Sequence, residues 1–205
     1  MKFDIMIAGV GGQGTVLASR LLATSAINAG FYVRTSETIG MAQRGGCVVS
    51  HVRIESEKTS SIIPLGMADL IVGYEPFEVV RNIRRLSPTG TCIVNTKDIK
   101  PFIAYQENDV LELHEALEFI KRNSYSSIFI NGHEVVEKLG CSKMLNIYLI
   151  GVAASYGLFP FSNEIIEKSI SQIIPLKYVD INMKIINMGF NCYTSFERSF
   201  LQSTL

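Results

Sequence analysis

Lys2-Phe3-Asp4-Ile5-Met6-Ile7-Ala8, followed by Gly9-Val10-Gly11-Gly12-Gln13-Gly14, is the stretch on which the reading of this chain turns. A short apolar run breaks at glycines, and an apolar periodic stretch follows from Thr15 to Ala29. A strand that ends in glycines and resumes as a helix opens a Rossmann-like βα unit. Gly9 and Gly11 permit a turn that side chains would block, and Gly14 lets the helix lie close to the strand. The helix N-terminus leaves N–H groups unpaired and partly positive, so an anion can sit there.

The glycines at 9, 11 and 14 match the dinucleotide spacing G-x-G-x-x-G. That fingerprint also expects an acidic residue about 20 residues further on, at the end of the second strand, to hold a ribose hydroxyl. The second strand is expected over Phe31 to Thr35 and ends near Arg34, a residue that suits a 2′-phosphate. Glu37 comes later, in an expected loop. On its residues alone, the turn reads equally as an anion site or as a device for tight packing.

Working outward, the chain has 205 residues, 47% of them hydrophobic and 19% charged, enough to bury a core as a single domain over residues 1–200. Lys plus Arg and Asp plus Glu both count 19, so no net field draws the chain to nucleic acid or to an anionic membrane. Arg81, Arg84 and Arg85 are spaced along one expected helix and read as a solvated face. Cys47, Cys92, Cys141 and Cys192 are too scattered for zinc or Fe–S ligation, and read as reduced core thiols of a cytoplasmic protein. Asp4 within the first apolar run argues against a signal peptide. Met144 to Asn163 carries no charge, but Asn146, Ser155, Gly157 and Pro160 interrupt it. It reads as a buried helix ending near Gly157 rather than a membrane span.

Residues 36–46 hold three glycines and read as a loop. Cys47 to Ile54 (CVVSHVRI) suits a strand with one polar face, and Ser60 to Ile63 its return partner in a hairpin stopped by Pro64. Ala68 to Gly73 is a buried parallel strand, and Pro76 opens a helix running to Leu86. Ser87-Pro88-Thr89-Gly90 reads as a turn, Thr91 to Asn95 as a strand, Val110 to Asn123 as a helix and Ser127 to Asn131 as the last parallel strand. Helices over 132–139, 142–157, 162–173 and roughly 178–197 complete the chain, with Leu201 to Leu205 frayed. The expected fold is α/β: a doubly wound, mostly parallel Rossmann-like sheet with an inserted β-hairpin and a C-terminal helical tail.

Ligands bind such folds at the carboxyl ends of the strands. Arg44, followed by Gly45 and Gly46, sets a guanidinium beside exposed backbone N–H groups, a pair that can hold a phosphate or a carboxylate. The same residues also read as a glycine turn with a solvated Arg. His51 reads more simply as a polar residue on a strand face than as a catalyst.

Three blocks carry a family resemblance: G-V-G-G-Q-G-T at 9–15, E-T-I-G-M-A-Q-R-G-G at 37–46 and S-H-V-R-I at 50–54. Together they resemble the gamma-type domain of 2-oxoacid:ferredoxin oxidoreductases. The second and third are most similar to the beta subunit of the indolepyruvate type. The resemblance continues through G-M-A-D-L-I-V-G-Y-E-P at 66–76, M-L-N at 144–146, L-I-G at 149–151, and Asn182 with Gly189. It implies oxidative decarboxylation of a 2-oxoacid to an acyl-CoA, with electrons passing through the complex to ferredoxin. Thiamine diphosphate, Mg and Fe–S clusters would belong to a large alpha subunit, with CoA as co-substrate and no metal, cofactor or catalytic residue in this chain. Gly11, Gly12, Gln13 and Gly14, with Arg44, Gly45 and Gly46, are then expected to face one cleft that the alpha subunit closes. Glu37, His51 and Arg53 become candidate interface residues. A gamma subunit of a pyruvate or other 2-oxoacid enzyme, a free-standing NADP-type nucleotide module, and a purely structural scaffold are the alternatives.

Overall fold

The computed structural model describes residues 2–39, 46–55, 60–97 and 112–193. One six-stranded sheet organises them, in the order β2-β3-β1-β4-β5-β6. Its strands are β1 (Phe3–Val10), β2 (Tyr32–Ile39), β3 (Cys47–Glu55), β4 (Ala68–Gly73), β5 (Leu86–Asn95) and β6 (Ser126–Ile130). β1, β4, β5 and β6 pair in parallel, whereas β3 runs antiparallel to both of its neighbours, β1 and β2.

The expected pairing of Cys47–Ile54 with Ser60–Ile63 is therefore corrected. Cys47–Glu55 inserts into the main sheet between β2 and β1, and residues 60–63 form no strand. The polar face expected for this strand is buried too: every residue from Val48 to Glu55 is inside. The helix α1 (Thr15–Asn28) covers one face of β3, and residues 60–63 cross the other. β2 is also longer than the expected Phe31–Thr35, so Glu37 stands in a strand and not in a loop.

Alternation along the strands divides the core. Ile5, Ile7, Leu70, Val72 and Ile93 pack on the face covered by α1 and by the helices α4 (Gly132–Lys138) to α7 (Leu176–Phe190). Met6, Ile71, Cys92 and Val94 pack on the other face, under α2 (Pro76–Asn82) and α3 (Leu113–Arg122). α5 (Leu145–Ser155) is buried from Leu145 through Ala153, because the sheet side and α7 enclose it. This accounts for an uncharged segment that no membrane need explain. Among the described residues no helix is long and apolar enough to cross one.

Further boundaries shift for physical reasons. α2 ends at Asn82 and tightens into a 3₁₀ turn over Ile83–Arg85, so the helix does not reach Leu86. Ser87 to Gly90 are absorbed into β5 as an irregularity, where the pairing jumps from Ala68↔Leu86 to Leu70↔Thr91. The last helix begins at Leu176 and ends at Phe190. The expected helix start at Val110 and the frayed Leu201 to Leu205 lie outside the described residues. Arg85 is not simply solvated, since its Nη1 donates to the Ile63 carbonyl at 2.5 Å.

Candidate site at the sheet's carboxyl edge

β1 and β4 are neighbours in the sheet, and the helices that follow them, α1 and α2, lie on opposite faces. A crevice opens where such connections diverge. The glycine turn forms one wall. Gly12 has φ +100° and Gly14 φ +79°, conformations that side chains rarely adopt. Gly14 makes room for a different neighbour than expected: a Cβ there would come within 2.6 Å of Asn146 Nδ2, on α5. Asn146 Nδ2 itself donates to the Gly14 carbonyl at 3.2 Å. Among the described residues no side-chain cap is made at Gly14, the N-cap of α1, which leaves the N–H groups of the first turn for other partners.

Gln13 is folded back beneath the turn. Its Oε1 accepts from the Val10 N–H at 2.7 Å, and its Nε2 donates to the Tyr74 carbonyl at 3.3 Å. That carbonyl is shared with Asn95, at the end of β5, whose Nδ2 donates to it at 3.2 Å. Asn95 Nδ2 also lies 3.0 Å from His133 Nδ1, while Asn95 Oδ1 accepts from the Gly132 and His133 N–H groups at 3.1 and 3.4 Å. A continuous polar chain thus joins the carboxyl ends of β1, β4, β5 and β6. Burial, with Lys97 nearby, lowers the His133 pKa despite Glu137. A neutral ring leaves Nδ1 free to accept from Asn95.

Gly46 reaches the turn through its backbone, as the Gly11 N–H donates to the Gly46 carbonyl at 2.8 Å. The structure thus brings Gly11, Gly12, Gln13, Gly14 and Gly46 together. Arg44 and Gly45 lie outside the described residues.

The candidate interface residues separate. Glu37 is exposed on β2 and accepts from Ser19 Oγ at 3.0 Å. His51 and Arg53 are buried, on the face of β3 opposite α1. Arg53 Nε and Nη2 donate to Asp4 at 2.9 and 3.3 Å, and Nη2 pairs with Glu55 at 2.8 Å. This ion cluster rules the Arg53 side chain out as an exposed contact in the folded chain.

On the other wall, Glu75 caps α2 by accepting the Glu78 N–H at 2.9 Å, and Glu78 pairs with Arg81. Burial and the Glu78 carboxylate push the Cys47 thiol up to about 12, so it remains protonated and a poor nucleophile. Sequence reasoning missed Asn95, His133 and Asn146 as parts of this edge. A polar residue closing the apolar strand TCIVN was the available signal for Asn95, since strand carboxyl ends are where α/β sites form.

Residues 4–192 match the family described as pyruvate ferredoxin/flavodoxin oxidoreductase. The chain is 36% identical over 192 residues to the indolepyruvate oxidoreductase subunit IorB of Archaeoglobus fulgidus, covering 93% of this chain and 95% of that one. It is 27% identical over 197 residues to the common gamma subunit of the pyruvate/ketoisovalerate oxidoreductases of Pyrococcus abyssi, covering 95% and 98%. Its fold is similar to that of a keto/oxoacid ferredoxin oxidoreductase gamma subunit from Geobacter sulfurreducens, with a TM-score of 0.66 at 23% identity, over 92% of this chain and 96% of that one. With nearly its whole length matched, the chain belongs to the pyruvate ferredoxin/flavodoxin oxidoreductase family.

Proposed function

We propose that this chain is the small subunit of an indolepyruvate-type 2-oxoacid:ferredoxin oxidoreductase, inactive until a large subunit closes its glycine cleft. The observation that carries the reading is the joining of Gly11 to Gly46, which holds two of the three family-like blocks at one end of the sheet. The higher identity to an indolepyruvate subunit, 36% against 27% for a pyruvate-type gamma subunit, favours the aryl 2-oxoacid. Among the described residues no group of three or more His, Cys, Asp or Glu side chains is arranged to hold a metal ion. As the family resemblance implies, thiamine diphosphate, magnesium and the clusters belong to the large subunit, which would supply decarboxylation and electron transfer to ferredoxin. This chain's part is positional: the uncapped turn of α1 and the guanidinium of Arg44 receive the anionic end of the 2-oxoacid or of CoA.

Anaerobic co-expression with the large subunit tests this, with indolepyruvate and pyruvate offered as substrates. Turnover of indolepyruvate is expected to exceed that of pyruvate; the reverse preference would make the chain a pyruvate-type gamma subunit. Arg44→Ala should cut turnover or assembly while leaving the free chain's Tm nearly unchanged. Gly12→Ala should cost about 1–2 kcal/mol of stability as well, from its backbone angle, since no atom of the described residues stands within 4 Å to be crowded. Titration of the isolated chain with NAD, NADP and CoA separates the remaining reading, because micromolar affinity for NADP would mark a free-standing nucleotide module.

A further inference from the structure

At the amino-terminal end of the parallel strands, far from the glycine turn, residues 60–67 cross the sheet as a strap. Arg53 Nη1 donates to the Ser60 carbonyl at 2.7 Å, and Arg85 Nη1 to the Ile63 carbonyl at 2.5 Å. The N–H groups of Gly66 and Met67 donate to the Arg84 and Arg85 carbonyls, each at 2.9 Å. Ile63 is fully buried in the core beneath. So fastened, the strap presents Ile62, Leu65 and Met67 at 51%, 59% and 42% exposure. Tyr32, at 42%, is paired on β3 with Glu55, which Arg53 binds.

We infer that this apolar knuckle docks the large subunit, on a surface that is itself apolar and edged by carboxylates. The inference rests on the reading of the chain as a small subunit. An exposed apolar cluster on a surface is a binding feature when it is larger than scattered single residues. Here it is also already rigid, so association orders little further backbone. The exposed charge tied to the strap is cationic: Arg84, whose carbonyl accepts the Gly66 N–H, is exposed. A second copy docked across a two-fold axis would set guanidiniums against guanidiniums, whereas carboxylates on a different chain would complement them. Because the knuckle is at the opposite end of the sheet from the glycine turn, it holds the subunit without entering the cleft.

The test titrates the purified chain against the purified large subunit, reading association by light scattering and turnover with indolepyruvate. Leu65→Asp and Arg84→Glu are each expected to raise Kd by roughly tenfold or more. Turnover at saturating chain should stay at the wild-type level. Tyr125→Asp, at a 77% exposed site beyond α3, should leave Kd unchanged. Unfolding midpoints of the free variants should match the wild type, since both altered side chains point to water. Unchanged Kd for Leu65→Asp and Arg84→Glu overturns the docking surface and leaves the subunit reading intact. A free chain that sediments as a dimer, and as a monomer after Leu65→Asp, assigns the face to a second copy and also overturns it. Failure of the wild-type chain to bind the large subunit overturns the subunit reading, and this inference with it.

Discussion

His51 is 2% exposed and has Arg85 and Arg53 among its charged neighbours, with Asp4 as the opposing one. Burial first, and the two guanidiniums second, push its pKa down from 6.5 to about 4. The folded chain therefore holds the ring neutral, while the unfolded chain protonates it as pH falls through 6.5. Stability from this group is complete above that value and declines as pH falls towards 4, by on the order of 3 kcal/mol in all. His51→Gln should flatten that part of the acid limb, measured as the difference in Tm between pH 7 and pH 4.5 for variant and wild type. An equal loss in both would show that other groups carry the limb. Arg53 presents the complementary case. Arg53→Met leaves the fully buried Asp4 without its main partner and should cost about 3–5 kcal/mol in chemical denaturation. Adding Asp4→Leu should restore part of the loss, but not all of it, because the Ser60 carbonyl also loses its donor.

Between elements, α5 and α7 cross with backbone close to backbone. A Cβ on Gly189 would come within 2.6 Å of the Tyr148 carbonyl oxygen and 2.7 Å of Gly151 Cα. These are backbone atoms of a buried helix, so they cannot turn aside as a side chain would. Gly189→Ala should destabilise the chain by about 1–3 kcal/mol, read as a lower midpoint in urea at unchanged slope. A neutral result would mean that the two helices separate freely. The same scale explains the misread hairpin. His51 and Arg53 suit a polar strand face, but the strand that carries them lies inside the sheet, and its charges are matched by Asp4 and Glu55. Polarity signals exposure only where no buried partner exists.

At the scale of the whole molecule, one sheet carries both apolar clusters, so unfolding should be a single transition with coincident midpoints by circular dichroism and tyrosine fluorescence. Two separated transitions would instead divide the chain into domains. Much of this architecture was legible in local pattern. The β1–glycine–α1 unit, the buried run Ala68–Gly73, Pro76 at the start of α2 and the breaks at Gly140 and Gly157 all act through periodicity or backbone angle, which neighbouring residues specify. Half of the candidate cleft was legible in the same way, as glycines at fixed spacing. Strand order was not, because nothing in Cys47–Glu55 states that it will lie between β2 and β1 and antiparallel to both. Nor could any local pattern join Gly11 to Gly46, Asn146 to Gly14, or Gln13 and Asn95 to one carbonyl of Tyr74. Those contacts link residues 21 to 132 positions apart, and they form only once the strands have packed in their final order. Short-range geometry makes the elements, and long-range burial chooses which of their polar groups meet.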